Sequence, residues 1–139
     1  MNRMKLEFIS ASQNECFARS VAAAFVLELD PTLQELSEIK TSVSEAVTNA
    51  VIHGYRGTSG TVIMEGSING RVVEIAISDT GAGIRDIDKA MEPMYTGAPD
   101  EERSGLGFTI MQTFMDELEV ESEPGRGTRI TMRKKIGSA

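Results

Sequence analysis

Thr41-Ser42-Val43-Ser44-Glu45-Ala46-Val47-Thr48-Asn49-Ala50-Val51-Ile52-His53-Gly54 is the stretch on which the fold turns. It reads as the second half of a long helix. Apolar Leu36, Ile39, Val43, Val47 and Ala50 recur at helical spacing, which buries one stripe. Glu45, Asn49 and His53 follow at four-residue steps along another face. At roughly 100° per residue, Glu45 points nearly opposite Leu36 and Val43, and His53 sits nearer the edge of the stripe. A carboxylate and a carboxamide on the far side of a core helix suit a magnesium–phosphate site. The amide oxygen is a hard ligand, and the carboxylate can orient a nucleophile or take its proton. The same pair also occurs on ordinary solvated helix faces, so its meaning depends on the rest of the chain.

On the N-terminal side, Met4 to Ser10 alternates loosely through Leu6 and Phe8 and reads as a strand. A polar break at Ser10-Ala11-Ser12-Gln13-Asn14 precedes a helix from about Asn14 to Leu29, with Phe17, Val21, Ala24 and Phe25 as its expected buried stripe. Arg19 lies away from that stripe and is a candidate partner contact, since Arg is favoured at protein interfaces. Asp30-Pro31-Thr32 separates the two helices, and Thr32 with Glu35 resembles a capping box.

On the C-terminal side, Gly54 to Gly60 is a glycine-rich connector leading into a strand. Thr61 to Ser67 and Arg71 to Ser78 read as strands around Asn69-Gly70, a hairpin signature. Asp79-Thr80-Gly81-Ala82-Gly83 follows directly. An Asp at a strand end can accept a hydrogen bond from an exocyclic amine such as that of adenine, and the glycines let backbone pass close to a ring. A lid is expected over about 84–106, because so long a loop inside a compact domain is usually functional. Ser104-Gly105-Leu106-Gly107 then opens a helix to about Phe114, and backbone N–H groups at such a start form a phosphate site, with Arg103 adding charge. Glu117 to Glu121 and Thr128 to Lys134 read as closing strands around Gly125-Arg126-Gly127, with Thr128 placed to hydrogen-bond a ring. The element order predicts an α+β, two-layer sandwich: a mixed, mostly antiparallel sheet with helices on one face.

At 139 residues, the chain reads as one domain, 1–139. A formal net charge of −7 argues against direct nucleic-acid binding and favours a basic protein partner. Cys16 is the single cysteine, so no internal disulfide forms and a reducing cytoplasm is the expected setting. His53 is the single histidine, which excludes a histidine-rich metal cluster. No stretch approaches a signal peptide or a membrane span.

The order of these motifs carries more than any one of them: ExxxN on a helix, DxGxG after a strand, a long lid, SGxG at a helix start, GxGT before a last strand. In this order the chain resembles the GHKL superfamily of ATP-binding domains, the Bergerat fold, over roughly Met4 to Lys135. Ser44 to Tyr55, Glu102 to Met111 and Phe114-Met115-Asp116 are similar to the anti-sigma F factors, serine kinases of the anti-sigma type. The resemblance implies that Asn49 coordinates Mg²⁺ on the phosphates of ATP and that Glu45 is the general base toward a serine hydroxyl. Asp79 would hold the adenine amine, with Gly81, Gly83 and Thr128 shaping its pocket, while Ser104, Gly105 and Gly107 bind phosphate. It further implies a homodimer that sequesters a sporulation sigma factor of the sigma F type and phosphorylates a STAS-type anti-anti-sigma protein. One departure stands out. The family's lid commonly carries a Thr-Thr-Lys-Pro-like run, whereas Tyr95-Thr96-Gly97-Ala98-Pro99 has no lysine, leaving Arg103 and Arg85 as lid cations. A nucleotide-gated binding module with little kinase activity is therefore the alternative. The catalytic domain of a sensor histidine kinase is a weaker rival, because the sole His53 lies inside the ATP helix and no dimerisation helices precede the first strand.

Overall fold

The β2–β3 hairpin forms the middle of the molecule. β2 (Thr61–Asn69) and β3 (Val72–Asp79) pair with Asn69 opposite Val72, so the loop is Gly70-Arg71. Gly70 has φ 63°, and positive φ at the first of two loop residues is what a type II′ turn asks of glycine. The turn thus lies one residue later than Asn69-Gly70 implies. In this computed structural model, which describes residues 1–55, 58–84, 86–92 and 106–137, the other strands are β1 (Asn2–Ile9), β4 (Glu117–Glu123) and β5 (Gly127–Lys135). They form one sheet in the order β1-β2-β3-β5-β4, and every pairing is antiparallel. The helices are α1 (Asn14–Val26), α2 (Leu33–Thr48), a short α3 (Ile87–Ala90) and α4 (Gly107–Phe114). The α+β expectation holds, with the sheet wholly antiparallel among the described strands.

Period-two alternation turns Val62, Met64, Val73, Ile75, Ile77, Ile130 and Met132 to one face, where they pack with Val26, Ile39, Val43, Val47 and Met111 from the helices. The opposite face is polar. Arg129 Nη1 contacts Glu65 Oε1 at 2.9 Å, and Arg133 Nε contacts Glu74 Oε1 at 2.6 Å. Arg133 also reaches Glu119 at 3.0 Å and Glu117 at 3.3 Å. Between the two arginines on that face, Ala76 and Thr131 are buried under the charged side chains.

α2 lies between α1 and α4. Its start is fixed by the expected capping box: Glu35 N–H donates to Thr32 Oγ1 at 3.0 Å, and Thr32 N–H donates to Glu35 Oε1 at 2.9 Å. Gly137 N–H donates to the other Glu35 oxygen at 2.9 Å, tying the end of the chain to the same cap. These bonds hold the Glu35 pKa below its ordinary value. Lys134 donates to Phe114 O at 2.7 Å and pairs with Glu38 at 3.2 Å, placing a cation at the C-terminus of α4 while bracing α2.

The stripe expected for α1 holds in part: Val21 and Phe25 pack against the core, and Phe17 and Ala24 do not. Phe17 is 49% exposed and Ala24 is exposed; the buried face is Ala18, Ala22 and Val26. Small Ala18 and Ala22 sit at the centre of the buried face, which a reading that favours large apolar residues places slightly to one side. Phe25 is half-buried, and its ring occupies the space that a side chain at Gly66 of β2 would need. After α1, a 3₁₀ turn over Leu27–Leu29 ends at Asp30, whose φ of 52° reverses the chain before Pro31.

Candidate functional site

Asp79, the last residue of β3, is brought to the buried face by the same alternation that buries Ile75 and Ile77, and is 7% exposed. Its register partner on β5 is Thr128, also buried. Asp79 Oδ1 accepts the Gly81 N–H at 2.9 Å. Burial raises the carboxyl pKa above its ordinary value, and the backbone bonds from Gly81 and Thr128 pull it down without cancelling the rise. A carboxylate held this way favours an N–H donor that hydrogen-bonds it, and an exocyclic ring amine is one such donor.

The turn after Asp79 is built by backbone meeting backbone. Ala82 N–H donates to Gly54 O at 2.7 Å, and Gly125 N–H donates to Ala82 O at 2.7 Å. A Cβ on Gly81 would run into the Gly54 carbonyl, and one on Gly83, with φ 76°, into the Glu123 carbonyl. Gly127, with φ 119°, lies against the Asp79 carbonyl in the same way. Three segments distant in sequence therefore touch here: the end of α2, the DxGxG turn and the β4–β5 turn. Ser122 Oγ locks them. It accepts the Ile84 N–H at 2.7 Å, donates to Gly127 O at 3.0 Å and lies 2.8 Å from Thr128 Oγ1.

Glu45 is half-buried on the last full turn of α2. Beyond Thr48 the helix changes hand-hold. Asn49–Gly54 is a π-helical turn, and Tyr55 N–H reaches back to Ala50 O at 3.1 Å. The Glu45–Asn49 step is α-helical, and the step from Asn49 to His53 runs within the π turn. Asn49 opens the π turn, half-buried, and Gly54 closes it against Asp79. Gly107 opens α4, which packs along α2. Ser104, Gly105, Arg103, Arg85 and the body of the lid lie outside the described residues. Arg19 is half-buried and engaged within α1, 3.8 Å from Glu15 and donating to Cys16 Sγ at 3.3 Å.

No group of three or more His, Cys, Asp or Glu side chains is assembled for a metal among the described residues. Asn49, half-buried at the start of the π turn, offers one hard amide oxygen, a donor type that Mg²⁺ accepts. Mg²⁺ keeps several waters and takes its remaining ligands from phosphates, so a single hard protein oxygen is an adequate anchor.

Three residues of the site escaped the motif reading. Gly54 lies against the Asp79 carboxylate, Tyr55 holds the turn from behind, and Ser122 joins the two glycine turns. Gly54-Tyr55 directly follows the helix, and that adjacency was the one available clue. No helix among the described residues is long and apolar enough to cross a membrane.

Residues 12–134 match the family model described as a histidine kinase-like ATPase domain. An anti-sigma F factor of Clostridium kluyveri is 58% identical over 137 residues, covering 99% of this chain and 96% of that protein. One from Thermoanaerobacter pseudethanolicus is 57% identical over 137 residues, with the same 99% and 96% coverage. Among solved structures, the RsbU and RsbW domains of a Mycobacterium tuberculosis protein superpose with a TM-score of 0.69 at 16% identity, over 98% of this chain and 32% of that one. A mycobacterial sensor histidine kinase gives 0.53 at 21% identity, over 75% and 74% of the two chains. At such identities the structural likeness speaks for the fold alone. The sequence matches go further: this chain belongs to the anti-sigma F factor family, built on the histidine kinase-like ATPase domain.

Proposed function

We propose that this chain is a homodimeric, nucleotide-gated anti-sigma factor of the cytoplasm. It sequesters a sporulation sigma factor of the sigma F type and acts as a serine kinase on a STAS-type anti-anti-sigma partner. The observation that carries this reading is the meeting, at Gly54, of the helix bearing Glu45 and Asn49 with the turn bearing buried Asp79. It occurs in a chain that aligns almost end to end with anti-sigma F factors.

In this reading Asp79 accepts the adenine amine of ATP, and Gly81, Gly83 and Thr128 leave room for the ring. Asn49 holds Mg²⁺, which when bound neutralises phosphate charge. Ser104, Gly105 and Gly107, with Arg103, supply N–H groups and charge for the phosphates. Glu45 takes the proton of the partner's serine as its oxygen bonds to the γ-phosphorus and the bond to the ADP oxygen breaks. The protein's work is mostly positioning and charge neutralisation, because the transferred group needs little covalent help. Arg19 on α1 belongs to the partner-facing surface.

The test is incubation with Mg-ATP carrying a radiolabelled γ-phosphate and a STAS-type partner, followed by phosphoamino-acid analysis. Phosphoserine on the partner is expected, and Glu45→Gln is expected to retain ATP binding while losing transfer. Wild-type transfer by Glu45→Gln contradicts the base assignment. Sigma binding without any phosphoserine leaves the nucleotide-gated binding module, which the lysine-free lid favours.

A further inference from the structure

The π turn is an unusual way to end a long helix, and its last residues do something that an α-helical ending would not. Five residues separate Asn49 from Gly54. In an α-helix they would lie about 140° apart around the axis. With hydrogen bonds running i→i+5, five residues make little more than one turn, so Gly54 comes nearly in line with Asn49. Gly54 then makes two contacts with the base-side turn. Its carbonyl accepts the Ala82 N–H at 2.7 Å, and the space where its Cβ would sit is bounded by Asp79 Cγ and Oδ1 at 2.9 Å and by Oδ2 at 3.0 Å. Tyr55 adds a third link. Its hydroxyl accepts the Thr80 N–H at 2.9 Å and donates to Thr61 O at 2.6 Å, and its ring is closed over by Gly60.

The glycines around Asp79 differ in what restrains them. A side chain at Gly81 or Gly127 would strike backbone, and Gly127 also has positive φ. The three atoms nearest a methyl at Gly54 all belong to the Asp79 carboxylate. That carboxylate is also held by the backbone N–H groups of Gly81 and Thr128, so a shift away from Gly54 would disturb those bonds.

We propose that Gly54 and Tyr55 are positioning residues for base selection: the π turn uses them to set the Asp79 carboxylate and its turn in fixed register with Asn49, so that purine identity is read through Asp79 only while this dipeptide holds it. The proposal rests on Asp79 reading the base.

The experiment is calorimetric titration of the full chain with Mg-ATP and Mg-GTP, for wild type, Gly54→Ala, Tyr55→Phe, Asp79→Asn and the Gly54→Ala/Asp79→Asn pair. Gly54→Ala is expected to weaken ATP binding about tenfold or more and GTP binding far less, so the preference for ATP collapses. Tyr55→Phe, which keeps the ring, is expected to lower the preference by a smaller factor. In the Asp79→Asn background, adding Gly54→Ala is expected to change ATP affinity less than about twofold, since the two act through one group. Unchanged preference in both Gly54→Ala and Tyr55→Phe overturns the proposal, and so does full additivity in the pair. If Gly54→Ala does not fold, as read by its melting curve, the Tyr55→Phe preference decides. An unchanged preference in Asp79→Asn instead overturns the base-reading role of Asp79 itself.

Discussion

At the scale of the residue, Asp79 is a group that the fold holds at some cost. Its pKa is raised by burial, so the native state binds its proton more tightly than the unfolded chain does. The stability linked to this group is therefore present below its ordinary value of 3.8 and is lost as pH rises through the raised native value. Asp79→Asn keeps an acceptor for the Gly81 N–H and removes the buried charge. Without nucleotide it is expected to melt at or above wild type at pH 7, with the advantage shrinking as the pH is lowered toward 4 (roughly the ordinary Asp range). The same variant is expected to lose ATP affinity. Melting curves across that pH range check the first statement, and a variant clearly less stable than wild type at pH 7 contradicts it. Ser122 is the opposite kind of residue. Ser122→Ala leaves the Ile84 N–H without its acceptor, so a loss of about 1–3 kcal/mol in denaturant unfolding is expected. The turn at Asp79, Gly81 and Gly83 and its neighbour Thr128 can be read in the sequence because residue types and spacing follow the turn's needs. Gly54, Tyr55 and Ser122 cannot, because their roles come from contacts between segments that no local pattern brings together.

At the scale of the element, α2 shows how a period can be read correctly and still end wrongly. Its buried stripe, its capping box and its exposed start all follow from 3.6-residue spacing and from Thr32 and Glu35. The π turn does not, because nothing local in Asn49–Gly54 distinguishes i→i+4 from i→i+5 bonding; the packing of Gly54 on the Asp79 turn does. α1 shows a different failure. Alanine stripes are weak in any hydrophobic reading, which gives Phe17 more weight than the buried Ala18 and Ala22. The cap makes a simple prediction. Thr32→Ala removes the side-chain acceptor of the Glu35 N–H and is expected to cost about 1 kcal/mol in denaturant unfolding with catalysis untouched. A loss of kinase turnover at full folding would mean that the start of α2 communicates with Glu45 in a way that the capping role alone does not provide.

At the scale of the whole molecule, the antiparallel sheet brings the chain's distant motifs to one end. β3 delivers Asp79, β5 delivers Thr128 beside it, and α2 crosses the same face with Glu45 and Asn49 on its last turns. The charged ladder makes the other face of the sheet polar. A ligand bound to the native state alone stabilises it by mass action, so Mg-ATP at a hundred times its Kd is expected to add about 2.7 kcal/mol to unfolding. In the proposed function, Asn49 and Asp79 serve one and the same nucleotide. The most direct measurement is a crystal structure with Mg²⁺ and a non-hydrolysable ATP analogue. One analogue is expected, its adenine amine on the Asp79 carboxylate and its phosphate-bound metal on the Asn49 amide oxygen; an analogue that engages one of these residues and leaves the other facing a separate cavity would refute the shared site.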